Sequence, residues 1–378
     1  MSSSSSVKQT PLQRLAVRGR EVHPAVETFR KEKILHLNFS NAMDEVAERI
    51  QYGDQQSITA VIGPTTAGKT ALVDEICHEF VEAAAAIPEA ERTRLLAMEL
   101  AAPEAGAFKW KDDLYLPGLS ALNEPCINTK IDVEKIIEKF RSGDCHPAFV
   151  TQKLNIPQLR NLFFAGLSRA KVIAVLMDEA DHLRRPTSDS GIFQSYDSLK
   201  SRSNASPSHF VLFGTVLLTD IFKQNGQISK RVYPIWLAPY TLKEIDLFTR
   251  TLLAIEKKLP VKLKFSIEAK KIELFYDALG YMGLSHEQFD RALITALDRG
   301  LDYLTWDDMV RARLHTSQLE GILNDTIQFM KVMKELDESL KNKRKIFFSS
   351  EAEAEKTVAP TAVNKPFQAA LRRETVGP

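Results

Sequence analysis

Short unbroken apolar runs alternate with amphipathic stretches through residue 240, and beyond it only the amphipathic kind remains. The runs fall at 58–62 (ITAVI), 95–100 (LLAMEL), 172–177 (VIAVLM), 210–214 (FVLFG) and 232–237 (VYPIWL). Apolar at nearly every position, and β-branched in the first, each predicts a strand buried in a parallel sheet. Pro234 has no N–H for a ladder, which puts the last run at an edge or a bulge. Between the runs, Met43, Val46, Ala47 and Ile50 recur at helical spacing behind Ser40, a candidate N-cap. Residues 70–80, 132–140 and 157–167 also read as helices. After Thr241 the pattern predicts helices over 242–259, 267–279, 285–298, 305–315 and, longest, 318–342. Alternation followed by helices alone implies an α/β domain with a small helical domain appended. The expected divisions are a basic, flexible segment at 1–34, the α/β domain at 35–240, the helical lid at 241–316, a C-terminal helix at 317–346 and a disordered tail at 347–378. Glu351, Glu353, Glu355 and three prolines underlie the last expectation.

Chemistry enters at the end of the first strand. Gly63, Pro64, Thr65, Thr66, Ala67, Gly68, Lys69 and Thr70 spell GPTTAGKT, a full GxxxxGK[ST] loop between a strand and a helix. The glycines let backbone N–H groups wrap a polyphosphate at the positive end of the helix. Lys69 would reach the outer phosphates as a point charge, and the Thr70 hydroxyl would coordinate Mg²⁺. The third run ends in Asp178-Glu179-Ala180-Asp181. A carboxylate at such a strand tip holds Mg²⁺ through water, and the adjacent Glu179 can orient or deprotonate an attacking water. A tandem acidic pair points to hydrolysis, since a binding module needs no general base.

Composition narrows the class only a little. With 378 residues, 44% hydrophobic and 26% charged, the chain reads as an ordinary globular protein of more than one domain. No apolar stretch nears the ~20 residues of a membrane span, and MSSSSSVKQT lacks the apolar core of a secretory signal. Cys77, Cys126 and Cys145 lack paired spacing, so reduced thiols and a cytoplasmic location are expected. The net charge of +1 does not advertise nucleic acid. Two local basic clusters do better: Lys8, Arg14, Arg18 and Arg20, and Lys341, Lys343, Arg344 and Lys345. Each is readable as a phosphate contact or as a solvated charge run.

With GPTTAGKT, VLMDEADHL, FVLFGT and a helical lid, residues 35–315 resemble an AAA+ ATPase. More narrowly they resemble the TnsC/TniB branch, regulators of DNA transposition. The features are the spacing of FVLFGT ahead of KRVYPIWLAPY and the segment AMELAAPEAGAFKWKDDLYLPGLSALNEP. The resemblance implies a P-loop AAA+ domain with a five-stranded parallel sheet, ATP and Mg²⁺ as cofactors, and a bacterial cytoplasmic protein. It also implies assembly into a ring or helical filament on duplex DNA, with a transposase and a target-selection protein as partners and no membrane. Thr215 matches the sensor of the γ-phosphate, and Arg231 the arginine sent into a neighbouring subunit's site, with Lys230 beside it as the alternative. Arg291 matches a lid arginine that reaches the phosphates, although LSHEQFDRAL lacks the usual small-residue turn before it. Lys109, Lys111 and Lys130 match positions that track DNA phosphates, whereas Phe108, Trp110 and Tyr115 among them read better as core anchors. Lys365, Pro366, Phe367, Leu371, Arg372 and Arg373 have the composition of a partner-binding peptide or of a solvated tail. Two other readings stand beside this one: a replication initiator or helicase loader, and a signalling ATPase that does not bind DNA. A DEAD-type helicase, suggested by Asp178–Asp181, is set aside because no second set of strands follows residue 240.

Overall fold

The computed structural model describes residues 22–53, 57–102, 108–124, 154–184, 208–220 and 230–357, with side chains as far as 345. The expected helix at 132–140, Lys130, Cys126, Cys145, the N-terminal basic cluster and the tail peptide lie outside these residues. Two compact units divide at Thr326 and Ile327.

In the first unit, α1 (Pro24–Lys31) and α2 (Leu37–Tyr52) precede β1 (Ile58–Ile62) and α3 (Lys69–Ala85). There follow β2 (Arg94–Glu99), a π-helical turn (Trp110–Tyr115), α4 (Leu116–Ala121), α5 (Ile156–Arg169), β3 (Val172–Asp178), β4 (His209–Gly214) and β5 (Val232–Trp236). All five strands run parallel in the order β2-β3-β4-β1-β5. The three central strands are buried almost throughout, as their unbroken apolar runs require. Alternation splits their side chains between two faces. Val61, Leu176, Val211 and Phe213 pack with Leu72, Val73 and Ile76 of α3 and with Phe39 and Val46 of α2. On the other face Phe210 meets Phe164 of α5 edge to face at 6.2 Å. Pro234 lies, as expected, on an edge strand, paired with Ala60.

The lid comprises α6 (Ile245–Lys258), β6 (Lys262–Leu263), α7 (Ile267–Asp277), α8 (Met282–Asp298), β7 (Tyr303–Leu304) and α9 (Trp306–Arg311). Its core gathers Phe248, Leu252, Ile255, Leu274, Phe275, Phe289 and Leu293. Gly280 turns the chain into α8 at φ +77°, where a Cβ would stand 2.2 Å from the Tyr240 carbonyl oxygen. Only glycine permits both the turn and the approach.

Two expectations are corrected. Residues 24–31 are not a flexible segment. Pro24 occupies the first helical turn, where its missing N–H costs nothing, and Val26 and Phe29 are buried in the lid core. Ser40 is not an N-cap. The helix starts three residues earlier, and the Ser40 amide already donates to the His36 carbonyl. The C-terminal helix, expected over 317–346, is α10 (Thr316–Thr357). In the second unit this helix carries Lys331–Glu335 and Lys334–Glu338 pairs at i,i+4, each 3.8 Å. Such pairs support an exposed helix by a few tenths of a kcal/mol each.

Candidate nucleotide site

The loop from Gly63 to Gly68 joins the carboxyl end of β1 to the start of α3, in the crevice where open α/β sheets hold ligands. Gly68 takes φ +86° just before the helix, a conformation that favours glycine. Lys69 follows and is buried, its Nζ donating to the carbonyls of Gly63 (3.1 Å) and Pro64 (2.9 Å). Burial pushes its pKa down, partly opposed by the carboxylates of Asp181, Glu179, Asp178 and Asp325. Among the described residues the ammonium is therefore held at the loop without a direct ion pair, ready for an anion.

Thr70 donates through Oγ1 to Asp178 Oδ2 at 2.6 Å, across the tip of β4. The other Asp178 oxygen accepts from the Glu179 amide at 2.9 Å. Glu179 has φ +52°, a left-handed backbone in a residue with a Cβ. Such strain costs on the order of 1–2 kcal/mol and persists only where its surroundings fix it. Here β3 and the short 3-10 segment Ala180–Arg184 clamp it from either side. Thr215 sits at the tip of β4, one residue past Gly214, whose carbonyl accepts from the Gly63 amide. Its own amide donates to Asp181 Oδ2 at 2.8 Å, while its hydroxyl accepts from Leu217 N. Asp181 thus ties the acidic strand to the tip of β4, a role the sequence reading did not assign. Its second oxygen is buried with no hydrogen-bond partner among the described residues.

A cavity of about 400 Å³ opens beside the loop, in the range of small-molecule sites. Its floor is Thr66, Ala67 and Gly68; its walls come from His36 and Phe39, from Leu237 to Tyr240, and from Tyr281, Met282, Gly283 and His286 of the lid. His36 Nδ1 lies 3.2 Å from the Tyr240 hydroxyl, and burial pushes the imidazole down to about 4, so it is neutral near pH 7. His286 stacks on Phe29 of α1 at 4.4 Å and 4°, with its Nε2 buried and unpartnered. Arg30 clamps α1 to the lid through three hydrogen bonds to Asp290, at 2.9, 3.1 and 2.8 Å. The Phe29–His286 roof was not expected from the sequence.

Lys69, Thr70, Asp178, Glu179 and Thr215 are brought together. Arg291 is not. Its guanidinium donates to the Ala312 carbonyl at 2.8 Å and pairs with Glu287, and it does not line the cavity. The start of α8 faces the loop, and Arg291 is more than two turns along. Arg231 lies before β5, at the opposite end of the sheet, and its carbonyl accepts from Ile58 at the start of β1. Five residues of strand put it ~17 Å from its own loop. Lys230 beside it is exposed. Lys109 is exposed and Lys111 half-buried, with Asp112 and Asp113 next to them, so the described part of that surface is not net basic. Of the aromatics there, Tyr115 joins the core as expected and packs on Phe163 at 5.9 Å, while Trp110, half-buried, packs on Tyr115 at 5.9 Å.

The donor set suits the cofactors. A hydroxyl and a carboxylate oxygen are hard ligands of the kind Mg²⁺ takes together with phosphate oxygens. Among the described residues no group of three or more His, Cys, Asp or Glu gathers as a metal site of its own. The Thr65 amide already holds a carboxylate oxygen, so the loop accepts an anion.

The sheet, the phosphate loop, the acidic strand and the helical region define a P-loop AAA+ fold. Residues 51–222 carry it in sequence, matching the family model described as AAA domain. Among solved structures, the Aeropyrum pernix ORC1 protein in complex with DNA aligns at 14% identity and TM-score 0.48, over 77% of this chain and 70% of that one. The A. pernix ORC2 protein (ADPNP-ADP complexes) aligns at 16% and 0.47, over 78% and 74%. The Walker-type ATPase paby2304 of Pyrococcus abyssi aligns at 17% and 0.42, over 84% and 81%. No curated protein matches the chain. Among the described residues no helix is long and apolar enough to cross a membrane.

Proposed function

We propose that this protein is an Mg²⁺-dependent ATPase that assembles on duplex DNA in its triphosphate state, recruits a transposase, and disassembles on hydrolysis. The observation that carries the enzymatic part is the 2.6 Å bond from Thr70 to Asp178, with Glu179 next in the chain and Lys69 buried beside it. Thr70 and Asp178 would hold Mg²⁺, which supplies charge neutralisation on the outer phosphates. The cavity beside the loop would take the base and ribose, with neutral His36 and Tyr240 on one side and His286 on the other. Lys69 gives up the carbonyls of Gly63 and Pro64 to meet phosphate oxygens. Glu179 accepts a proton from the attacking water, and Thr215 orients at the terminal phosphate. Arg231, remote from its own loop, serves the site of a neighbouring copy, so turnover depends on assembly into a ring or filament.

The DNA and transposase parts rest on the resemblance to the TnsC/TniB branch. Lys109, Lys111 and Lys130 are the proposed phosphate contacts, and a target-selection protein is a further partner. Contacts to phosphate carry no sequence information, so binding should be sequence-neutral and steeply salt-dependent. The test is sedimentation and negative-stain imaging with duplex DNA in ATP, a non-hydrolysable analogue and ADP. Large DNA-bound assemblies confined to the triphosphate states support the proposal. A protein that turns over ATP yet ignores DNA in every state is instead a signalling ATPase. Nucleotide-dependent binding that loads a helicase ring, with no transposase capture, favours the initiator or loader reading.

A further inference from the structure

Among the loop's described hydrogen bonds, the partner most distant in sequence comes from α10, 260 residues away. Asp325 Oδ2 accepts from the Thr65 amide at 2.9 Å and from the Thr65 hydroxyl at 3.1 Å. The next residue fixes the helix to the lid: the Thr326 hydroxyl lies 2.9 Å from the buried Tyr281 hydroxyl, and Ile322 packs against the lid core. The opening turns of α10 therefore close over the loop from the lid side, with a carboxylate where an anion belongs.

Position within the loop gives this contact a direction. Thr66, Ala67 and Gly68 line the cavity proposed for base and ribose, and Thr65 does not. Thr65 stands at the end of the loop away from that cavity, where the last phosphate of a triphosphate would arrive. Lys69 and Asp325 also feel each other's charge, so the carboxylate takes part of the attraction that a phosphate would receive.

We propose that Asp325 is a displaceable phosphate mimic: it competes with the terminal phosphate for the Thr65 N–H, so that triphosphate binding evicts it and releases residues 316–326 of α10 from the lid. This rests on the nucleotide reading of the loop and adds its regulation. A charge-assisted bond to a backbone N–H is among the stronger hydrogen bonds. If it keeps the helix docked nine-tenths of the time, apparent nucleotide affinity falls ~tenfold, because only the undocked fraction is competent. A diphosphate, which ends short of Thr65, should feel the clamp less.

The test uses the full chain and Asp325→Asn, which keeps the size and removes the charge. Fluorescent ATP and ADP analogues give affinities, and amide hydrogen exchange over residues 316–326 reads the helix. Expected are a ~tenfold gain in ATP affinity, a smaller gain for ADP, and raised exchange in the variant without nucleotide. Wild type should reach that raised exchange only when ATP is added. Thr326→Val, which loosens the helix without touching the loop, should give a smaller gain in the same direction. Unchanged or weaker ATP binding by Asp325→Asn, with wild type binding normally, overturns the clamp and leaves the nucleotide site standing. Equal gains for ATP and ADP overturn competition at the terminal phosphate. Failure of wild type and both variants to bind either nucleotide overturns the nucleotide reading and the clamp with it.

Discussion

The loop side and the lid side of the candidate nucleotide site are built in opposite ways. On the loop side, Gly63 to Thr70 and Asp178-Glu179 are two continuous stretches placed by neighbouring strands of one sheet. The lid side is assembled from Phe29 on α1, Tyr281 just before α8, His286 on α8, and Asp325 on α10, spread over some three hundred residues. A site made of short contiguous segments is rigid because strand ladders hold it. One made of stacked rings and single hydrogen bonds between helices depends on packing and can open.

Turnover tests the loop side most severely. Arg231→Ala should lower hydrolysis by ~10³-fold or more with nucleotide affinity intact, if the neighbouring copy supplies the charge. Mixing this variant with a loop-deficient partner, each inactive alone, should restore part of the rate. Retention of turnover by Arg231→Ala would move the trans contact to Lys230. Glu179→Gln should cost ~10²–10⁴-fold in hydrolysis while ATP binding persists, and should trap the assembled state. Wild-type turnover in that variant would remove Glu179 as the general base. The lid side should answer in stability and binding. Phe29→Ala removes a fully buried ring, at ~3 kcal/mol by thermal or denaturant unfolding, and uncovers His286. Nucleotide affinity should weaken alongside. If affinity stays the same at temperatures where the variant is folded, α1 is part of the lid's core and no part of the site.

The same contrast explains what could be read from the chain. The five strands, the loop and the acidic pair were legible because each is written in five to eight consecutive residues whose chemistry admits little else. Residues 58–62 and 172–177 differ from the observed strands by at most one residue. Arg291 was misplaced because a helix assignment gives no rotation or depth: α8 presents its first two turns to the loop, while Arg291 turns to the Ala312 carbonyl. Helix α1 was missed because its polar composition outweighed two apolar residues, Val26 and Phe29, whose partners lie beyond residue 240. Asp325 carries no signal at all in a helix rich in acidic and basic residues; only its neighbour across the fold gives it meaning.

Pro234 has a consequence for how copies of this protein can meet. The Arg231 carbonyl accepts from Ile58, and the Leu237 amide donates to Ile62. In β5, then, the odd-numbered residues face β1 and the even-numbered ones face the sheet's open margin. Pro234 is even-numbered, so its missing N–H weakens nothing inside the sheet and leaves a gap in the middle of that margin. A foreign strand aligned there would find no donor at the central rung. A contact between copies at this margin would therefore run through side-chain surfaces, which can be made and unmade, and not through an added strand that would fuse them for good.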